Sequence, residues 1–190
     1  VKLSAPQREL IEDEKSPEVM FVGGVNSGKT MLGAFWIVTR MMQQPAHVGG
    51  MIVSHVWHMF DSTILPTLER ACEMLGVTID IVRSSKLAFI GVDRRQILLR
   101  SGDIPDNLAG PTLGAIWMDE PALQPVRAYE RVSQRCRHPD ARIRQVLFTG
   151  TPEGTKTWLA KREKSPSVHV VRASSFSNPW RPPDFDEIGR

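Results

Sequence analysis

Cysteine is nearly absent from this chain, and with it the chemistry of an extracellular staple. Only two occur in 190 residues, Cys72 and Cys136. They lack the even, close spacing of a disulfide scaffold, and no CxxC pair points to zinc, so a reducing, intracellular setting fits the usage. Long apolar runs are missing too. Nothing approaches the roughly 18 to 20 consecutive apolar residues of a membrane span, and the polar start through Glu9, Glu12, Asp13, Glu14 and Lys15 is not a signal peptide. A soluble protein without a membrane partner is expected. Charge of one sign is scarce: 24 Lys and Arg against 21 Asp and Glu leave a net +3. That is too little to coat nucleic acid non-specifically, so any basic patch must be local. His47, His55, His58, His138 and His169 show no metal-ligand spacing, and neither repeats nor low-complexity tracts occur.

What is present is an ordinary globular composition, 41% hydrophobic and 24% charged, with a length suited to one domain. The start at Val1 and the end at Arg190, just after Pro179, Pro182 and Pro183, fit a piece of a longer chain. Short apolar runs at 19–22, 51–53, 113–118, 144–148 and 168–171 read as buried strands. Helical stretches are expected at 29–42, at 58–75 with Pro66 as a kink and Gly76 as the stop, at 121–137 apart from Pro125, and at 155–164. Residues 77–82, 87–90 and 96–100 read as further strands, the last two joined through a turn at 91–95. This alternation predicts an α/β domain with a mainly parallel central sheet and helices on both faces. Ligands of such sheets bind beyond the carboxyl ends of the strands.

The first strand runs into Gly23-Gly24-Val25-Asn26-Ser27-Gly28-Lys29-Thr30, which satisfies G-x-x-x-x-G-K-[ST] between a strand and a helix. Backbone N–H groups of such a loop converge on phosphate oxygens at the positive end of the following helix. Lys29 supplies a point charge to the β- and γ-phosphates and the Thr30 hydroxyl a ligand for Mg²⁺. All eight loop residues are therefore nucleotide-binding candidates, with ATP as the substrate.

The strand at 113–118 delivers Asp119 and Glu120 at its tip. Phosphoryl transfer to water uses one carboxylate to hold Mg²⁺ and a second to orient and deprotonate the attacking water. Asp119 suits the metal and Glu120, farther along the tip, the water. At a third strand end Thr149, Gly150 and Thr151 place small hydroxyl residues where a neighbouring strand faces the γ-phosphate. A threonine there can pass the state of the phosphate to whatever moves.

Together these strand ends resemble the ATPase half of the large terminase subunit of tailed bacteriophages, over nearly the whole chain. The similarity includes Pro6-Gln7, like that family's adenine-reading glutamine, and Asn107-Leu108-Ala109-Gly110 before the acidic strand. It extends to Thr149-Gly150-Thr151-Pro152-Glu153-Gly154, like the coupling motif, and to Ser177-Asn178-Pro179. The resemblance implies a P-loop NTPase of the additional-strand, RecA-like type spanning 1–176. Residues 177–190 would form a tail or linker toward a nuclease domain that this chain lacks; Asp184, Asp186 and Glu187 in that tail are not a nuclease site. It further implies hydrolysis of ATP with Mg²⁺ to drive double-stranded DNA into a procapsid in the host cell cytoplasm. The implied partners are the portal, the procapsid and the small terminase subunit. The chain would work in a homo-oligomeric ring and could be a monomer in isolation.

Two family positions differ. Arginines that such terminases often carry inside the phosphate loop and before the glycine ahead of the acidic strand are here Val25-Asn26 and Ala109. Arginine-finger candidates are therefore Arg100 and the segment 127–144. There Arg127, Arg131 and Arg135 recur at helical spacing, followed by Arg137, Arg142 and Arg144, and the segment also suits a ring interface or DNA phosphates. The alternatives are another P-loop DNA translocase or helicase-like ATPase, and a nucleotide-regulated assembly module with little turnover alone.

Overall fold

The computed structural model describes residues 2–24, 26–151, 154 and 157–178, and of Ser177 only the backbone. Its strands are β1 (Glu18–Gly23), β2 (Gly50–Ser54), β3 (Ile79–Val82), β4 (Leu87–Ile90), β5 (Arg95–Ser101), β6 (Ala115–Asp119), β7 (Gln145–Gly150) and β8 (Val168–Ala173). They form one eight-stranded sheet in the order β3-β4-β5-β2-β6-β7-β1-β8. Every pairing from β5 to β8 along that order is parallel, while β4 pairs antiparallel with both β3 and β5. β7 thus lies between the strand that feeds the glycine loop and the strand that carries the acidic pair, the additional-strand arrangement that the resemblance implied.

The helices are α1 (Ala5–Glu12), α2 (Lys29–Gln43), α3 (Leu65–Leu75), α4 (Val126–Ser133) and α5 (Trp158–Arg162). Alternate residues of the central strands divide between two cores. Val19, Phe21, Ile52, Trp117 and Leu147 pack with residues of α1, α2 and α3. Met20, Val22, Met51, Val53, Ile116, Met118, Val146 and Phe148 pack with Ala128 and Val132 of α4 and Leu159 of α5. Helices cover both faces, so β1, β2, β6 and β7 are buried along their whole length. This is why they read as unbroken apolar runs rather than alternating ones.

One helical expectation holds and one needs correction. The stretch from His58 is helical through to Leu75 and stops at Gly76, and the irregularity near Pro66 is a wide π-type turn over Phe60–Ile64 just ahead of it. The stretch to Arg137 stops early. α4 ends at Ser133 because the following backbone is committed elsewhere. The Arg135 carbonyl accepts from the Leu113 N–H at 2.8 Å, and the His138 N–H donates to the Leu113 carbonyl at 3.0 Å. Leu113 is thereby fixed just ahead of β6.

Candidate nucleotide site

At the carboxyl end of β1 two glycine positions leave no room for a side chain or take a backbone conformation that disfavours one. A Cβ on Gly23 would lie 2.4 Å from Ser27 Oγ, and Gly28 takes φ 81°, a conformation disfavoured for residues with a Cβ. Asn26 adopts φ 61° in the same loop. No side chain caps α2 at Gly28, so the free N–H groups of its first turn are left for a ligand. Lys29, 8% exposed, donates to the Gly24 carbonyl at 3.0 Å. A cavity of about 310 Å³ opens here, lined by Asn26, Gly28, Lys29, Thr30, Met31, Glu120 and Thr151. Val25 lies outside the described residues.

β6 and β7 meet this cavity at their tips. Asp119 is 3% exposed, and the Thr149 hydroxyl donates to its Oδ1 at 2.7 Å while accepting from the Trp117 indole N–H at 2.7 Å. Burial pushes the Asp119 carboxyl up to about 7; the Thr149 hydrogen bond works against that, and the Glu120 charge works with it. Glu120 takes φ 44°. That conformation turns its carboxylate back across β7, where Oε2 accepts from the Thr151 N–H at 3.1 Å and Oε1 from the Thr151 hydroxyl at 3.3 Å. Its Oε1 also stands 3.9 Å from Lys29 Nζ. The three predicted strand ends therefore converge on one place. Pro152 and Glu153 of the coupling block are outside the described residues, as are Pro179 and the tail beyond it.

A second cavity of about 180 Å³ adjoins the first, sharing Gly28 and Met31 with it. Its walls are Leu3, Leu32, Phe35 and Met74, with polar groups from Gln7, Arg70 and Asn178. Gln7 is 3% exposed and is held at the start of α1. The Asn178 amide donates to the Asn26 carbonyl at 2.6 Å, tying the segment after β8 to the phosphate loop. Arg70 and this role of Asn178 were not read from sequence, because nothing local marks two residues so far apart as neighbours of Gly28.

The candidate arginines are not brought to this site. Arg100 ends near the same edge of the sheet, but its guanidinium bonds the Leu99 carbonyl at 2.8 Å and the Lys86 carbonyl at 3.3 Å. Arg127 and Arg131 of α4 both grip Asp106, at 2.9 and 3.1 Å, a counter-charge from a distant turn that helical spacing conceals. Arg135 and Arg137 lie past the helix end, on the segment that enters β7 from the opposite end of the sheet. Two histidines come together through the fold although sequence spacing does not pair them. The fold gathers His47, His138 and Asp140 so that one ligand atom of each lies within 4.8 Å of the others. His47 Nε2 is 2.9 Å from Asp140 Oδ2, which helps stitch the loop before β2 to the loop before β7.

No protein-family model matches this chain, and no curated protein matches it. Solved structures do. The large terminase of a thermophilic bacteriophage is similar with a TM-score of 0.87 at 16% identity, over 100% of this chain and 50% of that one. This is the fold of a large terminase ATPase domain. The same phage's large terminase in complex with ADP gives a TM-score of 0.85 at 16% identity, over 99% and 49% of the two chains. The large terminase ATPase domain of Thermus phage P74-26, in a form with one arginine replaced by alanine, gives 0.67 at 18% identity over 90% and 81%. The chain spans about half the length of the first of these terminases. Among the described residues no helix is long and apolar enough to cross a membrane.

Proposed function

We propose that this chain is the ATPase motor of a phage DNA-packaging machine, hydrolysing Mg-ATP to drive double-stranded DNA into a procapsid. One observation carries the reading: the Glu120 carboxylate, held by Thr151 just past the end of β7, faces Lys29 of the phosphate loop across 3.9 Å. In this reading the triphosphate occupies the larger cavity, bound by the loop amides and Lys29, and the base enters the smaller one beside Gln7. Thr30 and Asp119 offer hydroxyl and carboxylate oxygens, the hard donors that suit Mg²⁺. The buried Asp119 carboxyl, at about 7, is a group that a nearby cation would hold ionised. Bound Mg²⁺ would neutralise charge developing on the phosphate oxygens.

Glu120 then orients the attacking water and takes its proton. Lys29 leaves the Gly24 carbonyl for the β- and γ-phosphates. Asp119 is hydrogen-bonded to Thr149 in β7 and Glu120 to Thr151 just past its end, so a change at the γ-phosphate shifts the two threonines together and reaches the chain beyond Gly150. The basic segment 127–144 supplies the contact with DNA phosphates or with a neighbouring subunit in a ring. The portal, the procapsid and the small subunit are the remaining partners, and residues 177–190 lead toward a nuclease domain.

A second reading, a nucleotide-binding assembly module with little turnover alone, draws on the arginines. None of Arg100, Arg127, Arg131, Arg135 and Arg137 lines the phosphate cavity, so the arginine that completes the site would come from another subunit. Hydrolysis assays separate the two. Glu120→Gln should keep ATP binding and lose turnover by roughly 10²-fold or more, whereas Lys29→Ala should lose binding. Turnover equal to wild type in both variants would refute the site. A rate that rises with DNA and procapsid favours the motor, and one that stays negligible favours the module.

A further inference from the structure

At the amino ends of the strands, opposite the phosphate loop, the fold gathers a set of metal-ligand atoms. His47 lies in the turn before β2 and Asp140 in the loop before β7, 93 residues away. β6 runs between these two strands, so their starts stand roughly 10 Å apart. The loops close that gap: one nitrogen of His47, one of His138 and one Asp140 oxygen all lie within 4.8 Å of one another. His47 Nε2 is 2.9 Å from Asp140 Oδ2, and the two imidazole centres are 5.6 Å apart. Backbone contacts hold the loops in place. Gln44, 2% exposed, donates from Nε2 to the Ile143 carbonyl at 2.6 Å and accepts the Arg142 N–H on Oε1 at 2.9 Å. The His138 N–H is fixed on the Leu113 carbonyl at 3.0 Å, and the Asp140 N–H donates to His138 Nδ1 at 3.2 Å.

Arginines crowd this segment, yet the Asp140 carboxylate pairs with a histidine. Arg144 donates from Nε and Nη2 to the carbonyls of His138 and Pro139, both at 2.8 Å, and Arg142 donates from Nη1 to the Gln43 carbonyl at 3.4 Å. The His47 and Asp140 side chains are 62% and 61% exposed, so an ion can reach them from solvent. Two imidazoles and a carboxylate are donors that suit Zn²⁺ and its neighbours among the divalent transition metals, whereas Mg²⁺ and Ca²⁺ prefer oxygen alone. We propose that His47, His138 and Asp140 form a site for a Zn²⁺-class transition metal, which clasps the loop before β2 to the loop before β7. A carboxylate can only accept, so His47 Nε2 carries the proton in the metal-free pair. The metal displaces that hydrogen bond, and the neutral ring moves its proton to Nδ1. Three protein ligands leave a fourth position to water. The charges of Arg137, Arg142 and Arg144 oppose a cation, which places the affinity in the micromolar rather than the nanomolar range. This site does not rest on the nucleotide reading, whose Mg²⁺ would sit at the other end of the sheet.

The test titrates Zn²⁺ alone into this chain by calorimetry, beside chains carrying His47→Ala, His138→Ala or Asp140→Asn. Wild type should take up a single equivalent with a micromolar Kd that excess Mg²⁺ does not weaken. Each of the three variants should bind at least roughly tenfold more weakly. Without metal they should melt close to wild type, since an exposed ion pair contributes little. Added Zn²⁺ should raise the melting temperature of wild type and leave that of the variants unmoved. Cys136→Ala removes the thiol nearest in sequence, and His169→Leu removes a histidine that also has carboxylate partners; both should keep the wild-type affinity. Failure of the wild-type chain to bind Zn²⁺ overturns the proposal, as does undiminished binding in any of the three variants. A matching loss in Cys136→Ala or His169→Leu also overturns it, because the metal would then have other ligands.

Discussion

Thr149 and Asp119 stand opposite each other on neighbouring parallel strands, and the hydroxyl of one donates to the carboxylate of the other at 2.7 Å. The same oxygen receives the Trp117 indole N–H. Thr149→Val keeps the shape and removes both bonds at once, leaving a carboxylate and an indole N–H buried without this partner. We expect a loss of about 2 kcal/mol in stability and a fall in turnover larger than any change in ATP binding. Thr149→Ser should preserve both. Thermal unfolding and steady-state hydrolysis of the pair check this, and a stable, active valine variant would show that the hydroxyl holds nothing in place.

Gly33 of α2, the helix packed on the Trp117 ring, offers a second probe of the same contact. A Cβ there would sit 2.1 Å from Trp117 Cε2, against a ring that is fully buried. Mid-helix Gly→Ala ordinarily gains up to about 1 kcal/mol, but overpacking of a dense core costs about 1–3 kcal/mol. Gly33→Ala should therefore be destabilising. Displacement of the ring should also disturb its bond to Thr149, so hydrolysis should fall with stability. A melting temperature above wild type would contradict this.

Arg40 is the buried knot of the fold. At 1% exposure it donates from Nε to Gln145 Oε1 at 2.9 Å, and from Nη2 to the carbonyls of Ile11 and Asp13 at 3.0 and 2.6 Å. Replacing it with methionine keeps the stem and strands these acceptors. A loss of about 3–5 kcal/mol is expected, measured by chemical denaturation, with the docking of α1 on the sheet as the part most affected. A loss below about 1 kcal/mol would mean that water reaches the acceptors.

His169 gives the fold a pH dependence with a defined sign. Its Nδ1 is 2.6 Å from Asp13 Oδ2 and its Nε2 3.0 Å from Glu9 Oε1. With a carboxylate at each nitrogen both ring nitrogens donate, and the pKa is raised above 6.5, with the Asp13 hydrogen bond the largest cause. A raised folded-state pKa stabilises fully below the unfolded value and is lost as pH rises through the folded value. The stability advantage of wild type over His169→Leu should be largest near about pH 5.5 and should shrink toward about pH 9. The ring is partly exposed, so salt should reduce the effect. An advantage that grows with pH would reverse the assignment.

The parts of this molecule that sequence made legible are those where one local stretch carries its own physics. The phosphate loop is contiguous, the acidic pair ends an apolar run, and β1, β2, β6 and β7 are buried on both faces and apolar through their middles. What stayed hidden depends on partners far away in the chain. The end of α4 is set by Leu113, the charges on Arg127 and Arg131 are answered by Asp106, and His47 meets Asp140 only once the loops before β2 and β7 are folded together.

The smaller cavity has one more consequence. Leu3 and Asn178 line it from opposite ends of the described chain. A ligand lodged there would act as a clasp closing the two ends of the fold over the phosphate loop, so occupancy should slow opening of the whole domain and not merely stiffen its rim.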